Sequence, residues 1–245
     1  MKEIRRLLPG EDLLYYADSA HCPYGEKPPE QIRRRIVKIT QFLVSRRVKM
    51  VVAACNTASI AGLDFLRRLF RLPIVGMEPA VKPAAAATRN GKVGVLATGV
   101  TISGERFHSL IRRFANGVEV FTVPCPGLVE RVELGLVDHP ATKQLLEQYL
   151  APLLSNGVDT IVLGCTHYPF LRPLVESIAG PSMTVIDTGS AVARRVVQVL
   201  EQGALQSGRT AGGKEIFFTS GDPGRVKETI ARLWGRAPEL HCKAL

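Results

Sequence analysis

The 245-residue sequence has no apolar run near the roughly 20 residues that a membrane helix needs. Its first residues, MKEIRRLLPGED, contain no apolar stretch of the kind that a secretory signal requires. The five cysteines are odd in number and include no CxxC pair, which argues against a disulfide framework or a zinc ribbon. We therefore expect a protein without a membrane partner, located in the reducing cytoplasm.

Acidic residues are fewer than basic ones: 22 Asp and Glu stand against 32 Lys and Arg, a formal net charge of +10. One interpretation of such an excess is nucleic-acid binding. The basic clusters at 33–35, 46–49 and 67–71, however, lie beside apolar positions with helical spacing, and no aromatic residues alternate with them. We therefore expect these charges on the outer faces of helices, with no nucleic-acid partner, where they would attract acidic substrates.

Strand-like and helix-like segments alternate along the chain, a pattern typical of parallel α/β proteins. Hydrophobic residues make up 46% and charged residues 22%, which is ordinary for a globular enzyme. The alternation runs through two series, so we predict two similar α/β halves with a cleft between them, where small-molecule sites are common. The predicted segments include strands at 13–17, 184–186 and 215–219, helices at 105–114 and 223–234, and a clear helix at 143–154.

A short phrase occurs twice, as VVAACNTAS at 51–59 and as IVLGCTHYP at 161–169. Each is an apolar run followed by a small residue, a cysteine and polar side chains. Apolar runs with β-branched residues predict buried parallel strands, so Cys55 and Cys165 are expected at strand carboxyl ends. Open α/β sheets bind ligands at those ends, which makes the two thiols candidates for one shared site.

Three kinds of chemistry suit thiols in this setting. Cys165 would be a nucleophile with His167, two residues further along an extended chain, but Cys55 would then have no role. A metal site of Cys55, Cys165 and His167 lacks the usual ligand spacing and a marked fourth ligand. Paired acid–base catalysis uses both thiols, because one removes a proton from one face of a carbon atom and the other donates from the opposite face.

Buried packing is the alternative role for every cysteine, because a free thiol behaves as a small apolar side chain. It is the role that we expect for Cys22, Cys125 and Cys242. For the two cysteines of the repeated phrase, the polar residues that follow favour a binding site, because a core would not gather so many hydrogen-bonding groups.

Six motifs carry a resemblance to a known family: DSAHCPYGEK, AACNTAS, GMEPA, LATGVT, LGCTHYPFL and DTGSAVA, in this order. Together they resemble the glutamate racemases of the aspartate/glutamate racemase superfamily over nearly the whole chain. The resemblance implies an enzyme that makes D-glutamate for peptidoglycan, with glutamate as substrate and with no metal or other cofactor; it also allows for a homodimer. The implied fold has two pseudo-symmetric domains with parallel, flavodoxin-like sheets and the active site in their cleft, the first domain formed by 1–79 with 188–245 and the second by 80–187.

The resemblance also implies roles for individual residues. Cys55 and Cys165 would be the catalytic acid and base, and His167 and Glu133 would assist Cys165. Hydroxyl, amide and backbone groups nearby would hold the α-carboxylate, the ammonium group and the side-chain carboxylate of the substrate. These implied substrate contacts are at Tyr24, Gly25, Asn56, Thr57, Thr98, Thr166 and His167.

One departure from the family pattern lies at the amino terminus. Family members have a strand with an Asp-Ser-Gly motif before the helix that matches 1–8, and this chain starts at that helix. We therefore expect a gap in the sheet of the first half, lower stability and little activity. Two alternatives stay open: a non-catalytic amino-acid-binding or interaction protein with this fold, and an aspartate racemase, because substrate length depends on a few cleft contacts.

Overall fold

The computed structural model describes residues 1–245, in which strands and helices alternate. The strands are β1 (Leu13–Ala17), β2 (Val51–Ala53), β3 (Ile74–Gly76), β4 (Lys92–Ala97), β5 (Glu119–Pro124), β6 (Thr160–Leu163), β7 (Thr184–Ile186), β8 (Glu215–Thr219) and β9 (Leu240–Cys242). The helices are α1 (Lys2–Leu7), α2 (Pro29–Ser45), α3 (Asn56–Leu69), α4 (Val81–Ala87), α5 (Gly99–Ser103), α6 (Glu105–Phe114), α7 (Leu128–Glu133), α8 (Pro140–Ser155), α9 (Arg172–Ala179), α10 (Gly189–Gln202) and α11 (Pro223–Trp234). All strand pairs are parallel, which confirms the predicted α/β class. No helix combines the length and the hydropathy needed to cross a membrane.

The larger sheet has the order β5-β4-β6-β7, and its two central strands, β4 and β6, are buried on both faces. Leu96 and Leu163 point into one apolar cluster together with residues of α8. Val95 and Val162, their neighbours along the two strands, point into a second cluster together with residues of α6. Side chains of a strand alternate between its two faces, so the near-continuous apolar runs of β4 and β6 are explained by burial on both sides.

The other five strands form two smaller sheets, with the orders β1-β8-β9 and β2-β3. β1 and β2 each have a single partner, and both strands line one cavity of about 590 Å³. Apolar residues of α2 and α10, among them Ile36, Leu43 and Val196, complete its walls. The first half of the fold therefore has a gap between β1 and β2. A gap in the sheet of this half was the expectation from the family strand with the Asp-Ser-Gly motif that precedes the first helix in family members.

Sequence periodicity predicted elements of different lengths, from the three residues of β7 to the twelve of α11. The observed ends of β1, β7, β8, α6 and α11 agree with the predicted ends. Two short elements were not expected. α5 begins after Thr98, whose hydroxyl accepts a hydrogen bond from the N–H of Thr101 at 3.3 Å, and β9 forms because Leu240 pairs with Phe217 of β8. Both elements depend on a cap or a distant strand, which local periodicity does not show.

Backbone hydrogen exchange should distinguish the two kinds of strand. β4 is paired on both edges, whereas β2 has one partner and borders the cavity. Amide protection follows the free energy of local opening. We therefore expect a peptide covering 51–54 to exchange at least about tenfold faster than one covering 93–96, as measured by mass spectrometry. Equal protection of the two peptides would show that the gap does not weaken the first half.

Candidate active site

The two cysteines of the repeated phrase lie at strand carboxyl ends and line the same cavity. Cys55 follows β2 and caps α3, where its sulfur accepts a hydrogen bond from the N–H of Ala58 at 3.4 Å. Cys165 follows β6 and precedes a short 3-10 turn over Tyr168–Leu171. One thiol thus comes from each half of the fold, in the arrangement that the repeated phrase predicted.

Gly164, the small residue before Cys165, allows β6 to end close against β4. Its N–H donates to the carbonyl oxygen of Leu96 at 2.7 Å. A Cβ atom on Gly164 would lie 2.9 Å from that oxygen and 3.0 Å from Cβ of Ala97. Such distances are too short for a side chain, so glycine at this position determines where the Cys165 thiol is placed.

His167 joins Cys165 to an acidic side chain. Its Nε2 lies 2.7 Å from Oε1 of Glu133, the last residue of α7, and its Nδ1 lies 3.9 Å from Sγ of Cys165. Burial disfavours a charged imidazole, but hydrogen bonds to Cys165, Cys22 and Glu133 outweigh it and raise the pKa of His167 well above its ordinary value. Burial also disfavours the Glu133 carboxylate, yet the bond to His167 holds its pKa below the usual value. An imidazolium–carboxylate pair therefore lies beside Cys165.

Cys55 has a different electrostatic environment. The hydrogen bond to its sulfur comes from a neutral backbone N–H of α3 rather than from a cationic side chain. Burial, and after it the nearby Cys165 sulfur, raises the pKa of Cys55 to about 11. The Cys55 thiol is therefore neutral near pH 7, while a positive charge lies next to Cys165. The two thiols therefore lie in unlike electrostatic surroundings.

Threonine hydroxyls connect the two halves of the fold beside the thiols. Oγ1 of Thr57 in α3 lies 2.9 Å from Oγ1 of Thr98, which lies 3.0 Å from Oγ1 of Thr101. Thr166 donates its hydroxyl to the carbonyl oxygen of Ala54 at 3.1 Å, so the residue after one cysteine contacts the residue before the other. Thr57, Thr98 and Thr166 also line the cavity. These hydroxyls can therefore serve both the domain contact and a polar ligand.

Tyr24 and Gly25 form a loop over the same cavity. The Tyr24 hydroxyl donates to Oδ2 of Asp18 at 2.5 Å, and Arg35 pairs with Oδ1 of Asp18 at 2.7 Å. Burial and the Asp18 carboxylate raise the pKa of Tyr24, so its hydroxyl stays protonated. A Cβ atom on Gly25 would lie 2.9 Å from the Thr98 side chain, which shows how closely the loop packs. Sequence reasoning assigned no role to the Asp18–Arg35 pair, because only folding brings the two side chains together.

The cavity collects almost all the residues that the resemblance implied. It is lined by Tyr24, Gly25, Cys55, Thr57, Thr98, Glu133, Cys165, Thr166 and His167. The exception is Asn56, which is 2% exposed and whose side-chain nitrogen and oxygen have no hydrogen-bond partner. The first turn of α3 places Asn56 beside Cys55, but its amide group is enclosed by protein and does not line the cavity.

The remaining cysteines differ from one another, although all were expected to pack in the core. That expectation is right for Cys125, which is buried, and wrong for Cys242, which is exposed in the short edge strand β9. Cys22 is half-buried and lines the cavity, with its Sγ 3.8 Å from Oε1 of Glu133. Sequence reasoning missed this position, and its closeness to Tyr24 in the chain was the one available signal.

A family model described as Asp/Glu/Hydantoin racemase matches residues 1–196. The chain belongs to this racemase family. Among curated racemases, the glutamate racemase of Ectopseudomonas mendocina is 51% identical over 242 residues, which are 98% of this chain and 92% of the relative. The glutamate racemase of Pseudomonas aeruginosa is 53% identical over 241 residues, which are 98% of this chain and 90% of the relative.

Solved racemase structures share the fold. A glutamate racemase isoform from Bacillus anthracis has a TM-score of 0.91 at 30% identity, covering 100% of this chain and 92% of that chain. Glutamate racemase from Escherichia coli, in complex with L-glutamate and the activator UDP-MurNAc-ala, has a TM-score of 0.87 at 34% identity, covering 99% of this chain and 92% of that chain. The two-domain racemase fold implied by the sequence motifs is therefore confirmed.

The close approach at Gly164 leads to a stability prediction for this racemase. We expect Gly164→Ala to lower the free energy of unfolding by about 1–3 kcal/mol, because the added methyl group overlaps backbone atoms. Gly99→Ala is the matched control, since a Cβ atom there would come no closer than 3.9 Å to Gly25. We expect the control to stay within about 0.5 kcal/mol of the parent in urea denaturation. Equal stability of the two variants would contradict the close contact between β4 and β6.

The raised pKa of Cys55 predicts its reactivity with pH. The thiolate is the nucleophilic form, so alkylation of Cys55 by iodoacetamide should follow a titration centred at about 11 in the folded protein. In urea the midpoint should return to about 8.5, the value for a free cysteine. Mass spectrometry of the peptide that contains Cys55 measures both curves. Coincident curves would mean that burial in the fold does not hold Cys55 in its neutral form.

Proposed function

We propose that the chain is a glutamate racemase, which interconverts L- and D-glutamate by proton transfer between two cysteines and uses no cofactor. The observation that carries this proposal is that Cys55 and Cys165 come from the two halves of the fold and line one cavity. Glutamate racemases about half identical over 98% of this chain support the choice of substrate. The proposed role is to supply D-glutamate for peptidoglycan synthesis in the cytoplasm.

The unequal surroundings of the two thiols suit opposite roles at the start of a turnover. Cys165, beside the His167 imidazolium, would act as a thiolate and remove the α-proton from one face of the amino acid. Cys55, neutral because of its burial, would donate its proton to the other face. The product complex then holds a Cys165 thiol and a Cys55 thiolate, so the reverse reaction begins from the exchanged protonation states.

Two kinds of group are available to hold the substrate. The first N–H groups of α3, which have no partner within the helix, suit a carboxylate and lie beside Cys55. The hydroxyls of Thr57, Thr98 and Thr166 line the cavity and offer both donors and acceptors. The acidic side chains near these groups are already paired, Glu133 with His167 and Asp18 with Arg35. The threonine hydroxyls and the first N–H groups of α3 are therefore the donors available to a dicarboxylic amino acid.

The equal free energies of two enantiomers limit how the mechanism can be tested. The equilibrium constant is one, so kcat/KM must be the same in both directions for the parent and for any variant. A difference between the two cysteines therefore cannot appear in the ratio of the two kcat/KM values. It appears in the partial reaction, the exchange of the α-hydrogen with solvent deuterium, in which only the base is needed.

Chiral separation of the products of L-glutamate tests the activity. We expect D-glutamate to form, and to form faster than D-aspartate or D-alanine form from their enantiomers. Cys55→Ser and Cys165→Ser should each slow racemisation by about 10²–10⁴-fold, the usual contribution of one acid–base group. Cys242→Ser is the control, because its thiol is exposed in an edge strand and should leave the rate unchanged.

Deuterium exchange assigns the two roles. Cys55→Ser should still exchange the α-hydrogen of the one enantiomer that Cys165 deprotonates, and Cys165→Ser should not exchange that enantiomer. Near-parental racemisation by both single variants would overturn the two-thiol mechanism. Binding of glutamate without exchange or racemisation by the parent would favour the non-catalytic alternative instead.

A further inference from the structure

Cys22, Glu133 and His167 bring three different metal-binding groups to one wall of the cavity. One sulfur, one carboxylate oxygen and one imidazole nitrogen lie within 4.8 Å of one another. They come from three separate parts of the chain: a loop after β1, the end of α7 and the turn after β6. We infer that these three residues bind a zinc ion, and that the bound ion inhibits proton transfer in this racemase.

The spacing of the three groups is close to that of a zinc site. Zinc binds sulfur, nitrogen and oxygen at about 2.0–2.3 Å, so tetrahedral ligand atoms lie about 3.3–3.8 Å apart. Sγ of Cys22 lies 3.8 Å from Oε1 of Glu133, within this range. Nε2 of His167 lies 2.7 Å from the same oxygen, so this contact has to open when the ion enters. The two side chains are 26% and 37% exposed, which leaves them room to turn and gives the ion access.

The mixture of ligands selects the kind of ion. A thiolate, an imidazole and one carboxylate suit zinc, whereas calcium and magnesium prefer sites made of oxygen atoms. Three protein ligands leave a fourth tetrahedral position open toward the cavity, for water or for a carboxylate of the substrate. On binding, the Cys22 thiol and the His167 imidazolium release their protons to solvent, and no ligand is oxidised or reduced.

The two faces of the His167 ring explain why such an ion would inhibit. Nδ1 is directed at Cys165, while Nε2 is directed at Glu133. An ion on Nε2 replaces the direct hydrogen bond between His167 and Glu133 and occupies the cavity beside Cys165. The proposed proton transfer between two cysteines needs no metal, so chelation should leave the activity unchanged or raise it.

Cobalt is a direct probe, because a Co²⁺–thiolate bond gives a charge-transfer absorption that oxygen and nitrogen ligands do not. We expect one Co²⁺ per chain to bind with this absorption, and one Zn²⁺ to displace it. Cys22→Ser should abolish the absorption and weaken zinc binding at least about tenfold, since even outer partners of metal ligands change affinity by 10–100-fold. Glu133→Gln should weaken zinc binding while keeping the absorption.

Two further variants make the cobalt and zinc titrations decisive. Cys242→Ser, which removes an exposed thiol in β9, should bind both ions like the parent. Cys165→Ser should also keep the absorption, because Cys165 is directed at the other ring nitrogen of His167. Loss of the absorption in Cys165→Ser with its retention in Cys22→Ser would overturn the assignment. These titrations need no substrate, so they stand apart from the test of racemase activity.

Inhibition is measured as the ratio of racemisation rates with and without zinc. We expect micromolar zinc to lower the rate of the parent, and a chelator to restore it. In Cys22→Ser the same zinc concentration should change the rate at least tenfold less, whatever the basal rate of that variant. Equal inhibition of the parent and Cys22→Ser would show that zinc acts at another place and would refute the inference.

Discussion

The pairing of β4 with β6 is the contact on which the site depends. Leu96 of β4 is paired with Leu163 of β6. The N–H of Gly164, the next residue after β6, donates to the carbonyl oxygen of Leu96 and adds one more hydrogen bond between the strands. Because the strands are parallel, the residues that follow them, Thr98 and Cys165, reach the same edge of the sheet. The hydroxyl of Thr98 then contacts Thr57 of α3, which brings the helix capped by Cys55 against that edge. The position of both thiols on one cavity thus depends on this strand register.

The site keeps its buried charges in pairs and leaves one thiol neutral. Hydrogen bonds to Cys165, Cys22 and Glu133 raise the pKa of His167, and the two bonds from Arg35 help to lower the pKa of Asp18. Unpaired charges of this kind would be too costly to bury. Cys55 has no such partner and is held as a thiol. In the proposed mechanism, one thiol beside a cation and one without a cation suit opposite roles as base and acid, whereas two thiols in equal environments would compete for the same role.

The two halves of the molecule support the site unequally. Cys165 follows a strand of a continuous sheet whose central strands are buried on both faces. Cys55 follows β2, which has one partner and borders the gap. The same cavity continues from the thiols into the gap, so the packing of the first half and the shape of the binding site are coupled. Ligand binding and stability of the first half are therefore expected to change together.

The sequence by itself determined the α/β class, the strand-end positions of Cys55 and Cys165, and the racemase family. Apolar runs and the polar residues after them are local patterns, which can be recognised in the sequence without knowledge of the fold. Only the tertiary structure decided the pairing of His167 with Glu133, the entry of Cys22 into the cavity and the enclosure of the Asn56 amide. It also decided the raised pKa of Cys55, since burial and charge separation depend on atoms that are far apart in the chain and meet only when the two halves pack.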